Sequence, residues 1–312
     1  MTYEQLITEL ALTDDRLIIM TAENRALIRN IPNNPALANR FIDTGITEQT
    51  MIGMAAGLAL RGRVPVVHAL AAFLTMRAFE FIRTDVGIAN LPVKLTGFIP
   101  GLLSDGNGPT HQAIEDISIM RGIPHMQVFA PADEEDMLVM MPEIWKSKSP
   151  SYTRANLVKP IYQHDKNFRI GKAEVVDEPA TITFLVYGML FNQVYQAKQI
   201  LEEQGQAVGL VNMRSLKPVD EEIILRAAQE SELVVIVEDH FKTGGLYSIV
   251  AEVLLKHQTT GNVQSLSLDE NWFKPARLSE VLDHEGFTPE KIAMRTLELL
   301  EATVSQEING KR

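Results

Sequence analysis

Short runs of β-branched and aliphatic residues alternate with longer amphipathic or wholly apolar stretches along the 312-residue chain. In the first half, "RLIIM", "RFID", "VPVVHAL", "VKLTGF" and "HMQVFA" read as strands. Between them, "EQTMIGMAAGLALR", "LTMRAFEFIRTDVGIAN" and "EEDMLVMMPEIWK" are long enough to read as helices. Pro92, Pro124 and Pro131 fall at the edges of these elements, where a missing N–H does least harm. The pattern fades over "KPIYQHDKNFRIGKAEVVDEP", which reads as a connection with one short strand. A second alternation follows: "TITFLVYG", a helix through "VYQAKQILEEQG", "AVGLVNM", a helix after Pro218, then "ELVVIVEDH". A helix after "TGGLYS", the strand "VQSLSL" and a helix near "PEKIAMRTLELLEA" complete it. Alternation of this kind predicts an α/β protein with largely parallel sheets flanked by helices. The fade near Lys159 divides it into two α/β domains, residues 1–165 and a smaller one at 166–312.

The helix starting at Glu48 is apolar on nearly every face, which predicts a place inside a large domain or at a subunit interface. Gly53 and Gly57 in it permit close backbone approach.

Composition narrows the function classes. With 46% apolar and 22% charged residues the chain is globular, and a net charge of -11 speaks against a nucleic-acid partner. No stretch approaches the roughly 20 apolar residues of a membrane span. The opening "MTYEQLITEL" has no basic region followed by an apolar core, so a cytoplasmic protein is expected. Without cysteine there is no disulfide, thiolate metal site or cysteine nucleophile. His68, His125, His164, His240, His257 and His284 form no H-x-x-x-H or H-E-x-x-H grouping, so no protein-bound transition metal is expected.

Four segments carry candidate chemistry. In "DTGITEQTMIGMAAG", Glu48 lies in the first turn of the apolar helix, where the helix dipole favours a carboxylate. Thr44 or Thr47 is the better cap, which leaves Glu48 to point into whatever the strand ends enclose. The loop "LLSDGNGPTHQAIED" follows a strand, at the sheet edge where open α/β sheets place ligands. It lacks the Gly-Lys-Ser/Thr of a phosphate loop and the G-x-G-x-x-G of a dinucleotide site, and its distinctive residue is His111 after a Pro-Thr turn. Arg154 ends the short strand in "SYTRAN", and Arg77 lies in "LTMRAFEF"; a surface ion pair is the ordinary reading of each.

Together these segments resemble the C-terminal half of thiamine diphosphate enzymes of the transketolase type. "DTGITEQTMIGMAAGLA" is similar to the family's Gly-x-x-Glu segment and "AFLTMRAFEFIRTDVGIANLPVK" to its aromatic helix. "SDGNGPTHQAIEDISIMRGIP" resembles its Asp-Gly-Pro-Thr-His-Gln loop, and "YTRAN" its strand-end Arg. "VNMRSLKPVD" and "VIVEDHFKTGGLYSIVAEVL" resemble the carboxyl-terminal domain. The order and spacing hold over nearly the whole chain. The resemblance implies a pyrimidine-binding domain followed by a transketolase-type C-terminal domain. It implies that Glu48 hydrogen-bonds N1′ of the cofactor's aminopyrimidine and favours its imino tautomer, whose nitrogen then takes the thiazolium C2 proton. That chemistry requires a carboxyl shielded from bulk water, while the cofactor carries the hard step. Phe73 matches the Phe that stacks on the pyrimidine, with Phe79 as a rival. His111 matches the loop His that contacts substrate hydroxyls and the covalent intermediate, so it is expected to be catalytic with Glu48, and Arg154 matches the Arg that holds a sugar phosphate or other terminal anion; Arg77 is a further substrate-binding candidate.

The family's diphosphate and Mg²⁺ site begins with Gly-Asp-Gly, which the sequence lacks, and the first recognised motif falls within the first 50 residues. The resemblance therefore implies one subunit of a split enzyme whose partner, an N-terminal transketolase subunit, supplies the diphosphate and metal site, in an α2β2 assembly. One departure bears on substrate: the family's Asp before Gly-Pro-Thr-His is Asn107 here, which donates as well as accepts and carries no charge. Asp105, two residues earlier, stands where it could compensate. A two-carbon ketol transfer from an anionic ketose to an aldehyde is the leading expectation. The alternatives are a β-type subunit of a 2-oxo acid dehydrogenase or decarboxylating synthase, and a silent binding subunit of the same fold.

Overall fold

The computed structural model describes residues 1–272 and 274–310. The first half runs α1 (Tyr3–Thr13), β1 (Leu17–Thr21), β2 (Phe41–Asp43), α2 (Glu48–Leu60), β3 (Val64–Leu70), α3 (Phe79–Phe81), β4 (Lys94–Phe98), α4 (Asp116–Arg121), β5 (Gln127–Phe129), α5 (Glu134–Lys146) and β6 (Ser151–Ala155). The second runs β7 (Glu174–Asp177), β8 (Ile182–Val186), α6 (Phe191–Glu203), β9 (Val208–Asn212), β10 (Ser215–Lys217), α7 (Glu221–Glu230), β11 (Leu233–Phe241), α8 (Leu246–Lys256), β12 (Val263–Leu268), α9 (Leu278–Glu285) and α10 (Pro289–Gly310). No helix among the described residues is long and apolar enough to cross a membrane.

Two sheets result. The first has strand order β10-β5-β6-β4-β3-β1-β2 and the second β12-β11-β8-β9-β7. Within each, all pairings are parallel except β10 with β5 and β7 with β9 at the edges. Burial on both faces explains the continuous apolar reading of strands such as Leu17–Thr21 and Ile182–Val186. Strand β10 was not expected: three residues carry no periodicity, and the chain returns at Ser215–Lys217 to extend the first sheet. Core clusters span the halves: Ile117, Met120 and Tyr152 pack in common with Leu185, Tyr187, Met213 and Ile236, and Leu102 and Ile114 with Phe184 and Leu268.

Local capping signals start α1 and α5. Thr2 and Gln5 form a capping box for α1, whose Leu6, Ile7 and Ala11 face inward. The Asp133 carboxylate accepts from the Asp136 N–H at 3.0 Å and starts α5. The single helix expected through "LTMRAFEFIRTDVGIAN" is broken instead: Phe73–Arg77 and Ile82–Gly87 are π-helical, with only α3 between them. Such widened turns change which side chains share a face. Helix α2 buries Met51, Ile52, Ala55, Ala56 and Ala59 and leaves Met54 and Leu60 exposed.

Candidate functional site

Side chains far apart in the sequence meet beyond the carboxyl ends of β2, β3 and β4. These strands are parallel, so their following loops emerge on one side, the edge where such sheets hold ligands. Glu48, in the first turn of α2, is only 3% exposed. Neither neighbouring threonine caps that helix: the Thr47 hydroxyl donates to the Thr44 carbonyl at 2.9 Å, and that of Thr44 points to the Thr21 carbonyl.

Arg77 crosses to Glu48 from the π-helical turn after β3. Its Nη1 donates to both carboxylate oxygens, at 3.1 and 3.0 Å. The guanidinium lies 4.2 Å from the centre of the Phe73 ring, a cation–π contact within the π-helical turn that carries both residues. The His111 and Phe73 rings meet edge to face, 4.9 Å between ring centres and 63° between planes. Thr110 Oγ1 lies 2.9 Å from His111 Nδ1, which leaves Nε2 as the nitrogen open to a ligand. Glu48, Arg77, Phe73 and His111 thus form one continuous row. Its members pass from a buried carboxylate to a half-buried aromatic face and an imidazole.

Phe79 takes another place. It packs on the main core, whereas Phe73 joins a small cluster with Ala71, Ala72, Met76 and Ala113 beneath His111. Asn107 is exposed, with only a long 3.5 Å contact from its Nδ2 to Ser104 Oγ. Asp105 does not stand in for it. Its carboxylate accepts from the Gly106 N–H at 2.6 Å and from the Leu278 N–H at 3.1 Å, tying the loop to the start of α9.

Arg154 differs most from expectation. Instead of an exposed fork or surface ion pair, it is 1% exposed and held inside by two carboxylates. Nε donates to Asp116 at 3.0 Å, Nη1 to Asp239 at 2.7 Å and Nη2 to the Ala113 carbonyl at 3.2 Å. Burial opposes its charge, but Asp116 and Asp239 prevail and hold the guanidinium above its ordinary range. Burial likewise pushes the Asp239 carboxyl up, against the pull of Arg154. Sequence reasoning missed Asp116 and Asp239 because one reads as a helix start and the other as a strand end. No local pattern pairs either with a residue 38 or 85 positions away.

Asp136, His164 and Glu174 bring possible metal-ligating atoms within 4.8 Å of one another. Those atoms are already engaged. His164 bonds Glu174 at 2.7 Å and Asp133 at 3.0 Å, and Arg214 donates to Asp136 at 2.8 Å. Burial works against charge on His164, yet its two carboxylate hydrogen bonds push its pKa up to about 10. The group is an internal ion network linking α5, the connection and β7. A cleft of about 880 Å³ lined by Trp272, Lys274, Glu280 and Arg295 shares no side chain with the Glu48 row.

Residues 1–156 match the transketolase pyrimidine binding domain, and residues 171–292 match the transketolase C-terminal domain. The chain belongs to the transketolase family. A transketolase relative is the 6-deoxy-6-sulfo-D-fructose transketolase subunit SqwH of Clostridium sp. strain MSTE9, 36% identical over 81% of this chain and 79% of its own length. The 1-deoxy-D-xylulose-5-phosphate synthase of Symbiobacterium thermophilum is 32% identical over 96% of this chain, which spans only 46% of that longer enzyme. Among solved structures, a split gene transketolase described as an inactive beta4 tetramer superposes with a TM-score of 0.86 and 30% identity, covering 96% of this chain and 97% of that one. Within this family the burial of Glu48 beside the half-buried Phe73 fits the pyrimidine end of thiamine diphosphate: an acid kept from water next to a flat apolar surface.

Proposed function

We propose that the chain is the C-terminal subunit of a split transketolase, which moves a two-carbon ketol unit from a ketose to an aldehyde. The observation that carries this reading is the row Glu48–Arg77–Phe73–His111, with its one buried carboxylate. When bound, thiamine diphosphate supplies an electron sink for carbon–carbon bond cleavage. Glu48 has the burial needed to share a proton with a pyrimidine nitrogen, once one oxygen is released from Arg77. The half-exposed Arg77 can yield that oxygen without leaving its own charge buried. Phe73 offers the apolar face, and His111 and Asn107 stand where substrate hydroxyls would arrive.

Diphosphate and Mg²⁺ are assigned to a partner subunit in an α2β2 complex working in the cytoplasm. Two findings support a partner. The relative SqwH is named as a subunit, and Met54, Leu60, Phe81 and Ile88 stay exposed on and beside α2. The sulfonated sugar in the name of SqwH is consistent with an anionic ketose donor. The two-domain division at residues 165 and 166 belongs to the same proposal, with β10 exchanged into the first sheet.

Co-purification with the product of a neighbouring gene tests the reading. The complex is assayed with thiamine diphosphate, Mg²⁺ and a panel of ketoses and 2-oxo acids. Ketol transfer by the complex and none by the chain alone is expected. Robust activity of the chain alone would overturn the split-subunit assignment, and turnover of 2-oxo acids without ketoses would move it to the dehydrogenase or synthase class.

A further inference from the structure

Ile99 is held in a backbone conformation that its side chain opposes. Its φ is +46°, and among the described residues it is the one β-branched side chain at positive φ. The other non-glycine residues there are Glu23, Asn90, His125 and Gln258, all unbranched at the β carbon. A branched β carbon crowds the backbone in that region, and Pro100 behind it restricts Ile99 further. Strain of this kind persists only where the surrounding structure enforces it, and it gathers at ligand sites. Burial does not account for it. Ile99 is half-buried and belongs to none of the four hydrophobic clusters, whereas the half-buried Phe98 beside it packs against the cluster that holds α1 and α5.

Its place is the middle of the sheet edge that carries the site. β4 lies between β3 and β6, and its last residue, Phe98, is level with Leu70 and Ala155, the last residues of both neighbours. Ile99 is therefore the first residue beyond the sheet, between the start of Ala71–Phe73 on one side and Asn156 on the other. Two residues on, the Gly101 N–H donates to the Ala113 carbonyl at 2.9 Å. Ala113 packs with Ala71, Ala72 and Phe73, the ring that His111 meets. We propose that Ile99 is a specificity-determining residue, an aliphatic wall of the donor site at the point where the His111 loop leaves the sheet. Such a wall offers no hydrogen bond, so it suits the C–H edges of a longer ketose and leaves the hydroxyls to His111 and Asn107. Only the identity of the ligand rests on the ketol-transfer reading; the strain is a property of the chain.

Ile99→Gly removes both the strain and the wall, and Ile99→Val keeps both. Urea denaturation of the full chain should put the midpoint of Ile99→Gly at or above that of wild type, because glycine takes positive φ freely. A side chain kept for packing alone would instead lower the midpoint, and that result overturns the assignment. In the reconstituted complex, kcat/KM is measured with five-, six- and seven-carbon ketoses. Ile99→Gly should lose about tenfold or more with the longest donor and least with the shortest, the usual penalty for an emptied apolar contact. Ile99→Val should stay close to wild type. Equal losses with every donor, or no loss at all, would overturn the role in specificity. If the wild-type complex transfers no ketol group, the functional reading fails by itself. Thermal melts of the complex with the same ketoses at millimolar concentration then decide the contact. A melting-temperature rise in wild type that Ile99→Gly lacks supports it, and the same shift in both, or none in either, overturns it.

Discussion

Arg77 grips both oxygens of Glu48 from the exposed side, and the Phe73 ring lies under its guanidinium. Arg77 thereby orients the carboxylate without sealing it in, since Arg77 is 42% exposed and Glu48 only 3%. Replacing Glu48 by Gln preserves shape and removes the exchangeable proton. Turnover of the reconstituted complex is expected to fall by about 10²- to 10⁴-fold, the usual span for a group that moves a proton. Steady-state ketol transfer measures it, and unchanged turnover would favour the silent-subunit alternative.

The same pair predicts a coupling energy. Arg77→Leu alone leaves a buried carboxylate with no cation, whereas Glu48→Gln alone leaves a cation that can turn to solvent. The double variant should therefore be more stable than the two single changes added together, by about 1 kcal/mol for a half-exposed pair. Urea denaturation of the four chains measures the cycle; strict additivity would mean that the contact contributes nothing.

Much of this arrangement was legible in the sequence, and the exceptions have a common cause. Glu48 and His111 were marked as candidates from local context: an acid at the start of an apolar helix, an imidazole in a turn after a strand. The alternation of runs revealed parallel sheets because strands buried on both faces read as continuous apolar stretches. Arg154, β10 and the break after Phe73 were not legible. Whether Arg154 faces solvent or interior depends on Asp239, supplied by the other sheet. Strand β10 exists because β5 offers it an edge. The π-helical turns have a period that a helical pattern of 3.6 cannot announce.

Two buried bases should oppose one another in alkaline solution. His164 holds a proton in the folded chain up to about pH 10 against an ordinary 6.5, so its stabilisation is complete below about pH 6.5 and is lost as pH rises through 10. Burial lowers Lys94 from 10.5 to about 7, so between those values the unfolded chain holds a proton the folded chain lacks, and stability rises with pH. Each slope is at most about 1.4 kcal/mol per pH unit, with opposite sign. His164→Gln should make stability climb from pH 7 to 10 relative to wild type, and Lys94→Met should make it fall. Denaturation at several pH values gives both slopes; variants that parallel the wild type would refute the two assignments.

Two glycines of the His111 loop should respond very differently to alanine. Gly101 has φ +58° and its added carbon would collide with Asp239, whereas nothing lies within 4 Å of a carbon added at Gly106. Gly101→Ala is expected to destabilise the chain by about 2 kcal/mol or more. Gly106→Ala should stay within about 0.5 kcal/mol of wild type. Thermal melts of the two variants decide it, and equal melting temperatures would mean that the loop base is looser than its contacts indicate.

Asn107 offers a clean separation of selectivity from folding. Its side chain is exposed and makes one long contact, so Asn107→Asp should leave stability within about 0.5 kcal/mol of wild type. The change restores the carboxylate that the family's loop carries at this position, turning a group that donates and accepts into one that only accepts. Donor preference should shift accordingly, with kcat/KM for ordinary pentose phosphates raised relative to other ketoses in the panel. The ratio of kcat/KM values between two donors, before and after the substitution, is the measurement. A ratio that does not move places Asn107 outside the substrate's reach and leaves His111 as the loop's contact with the sugar.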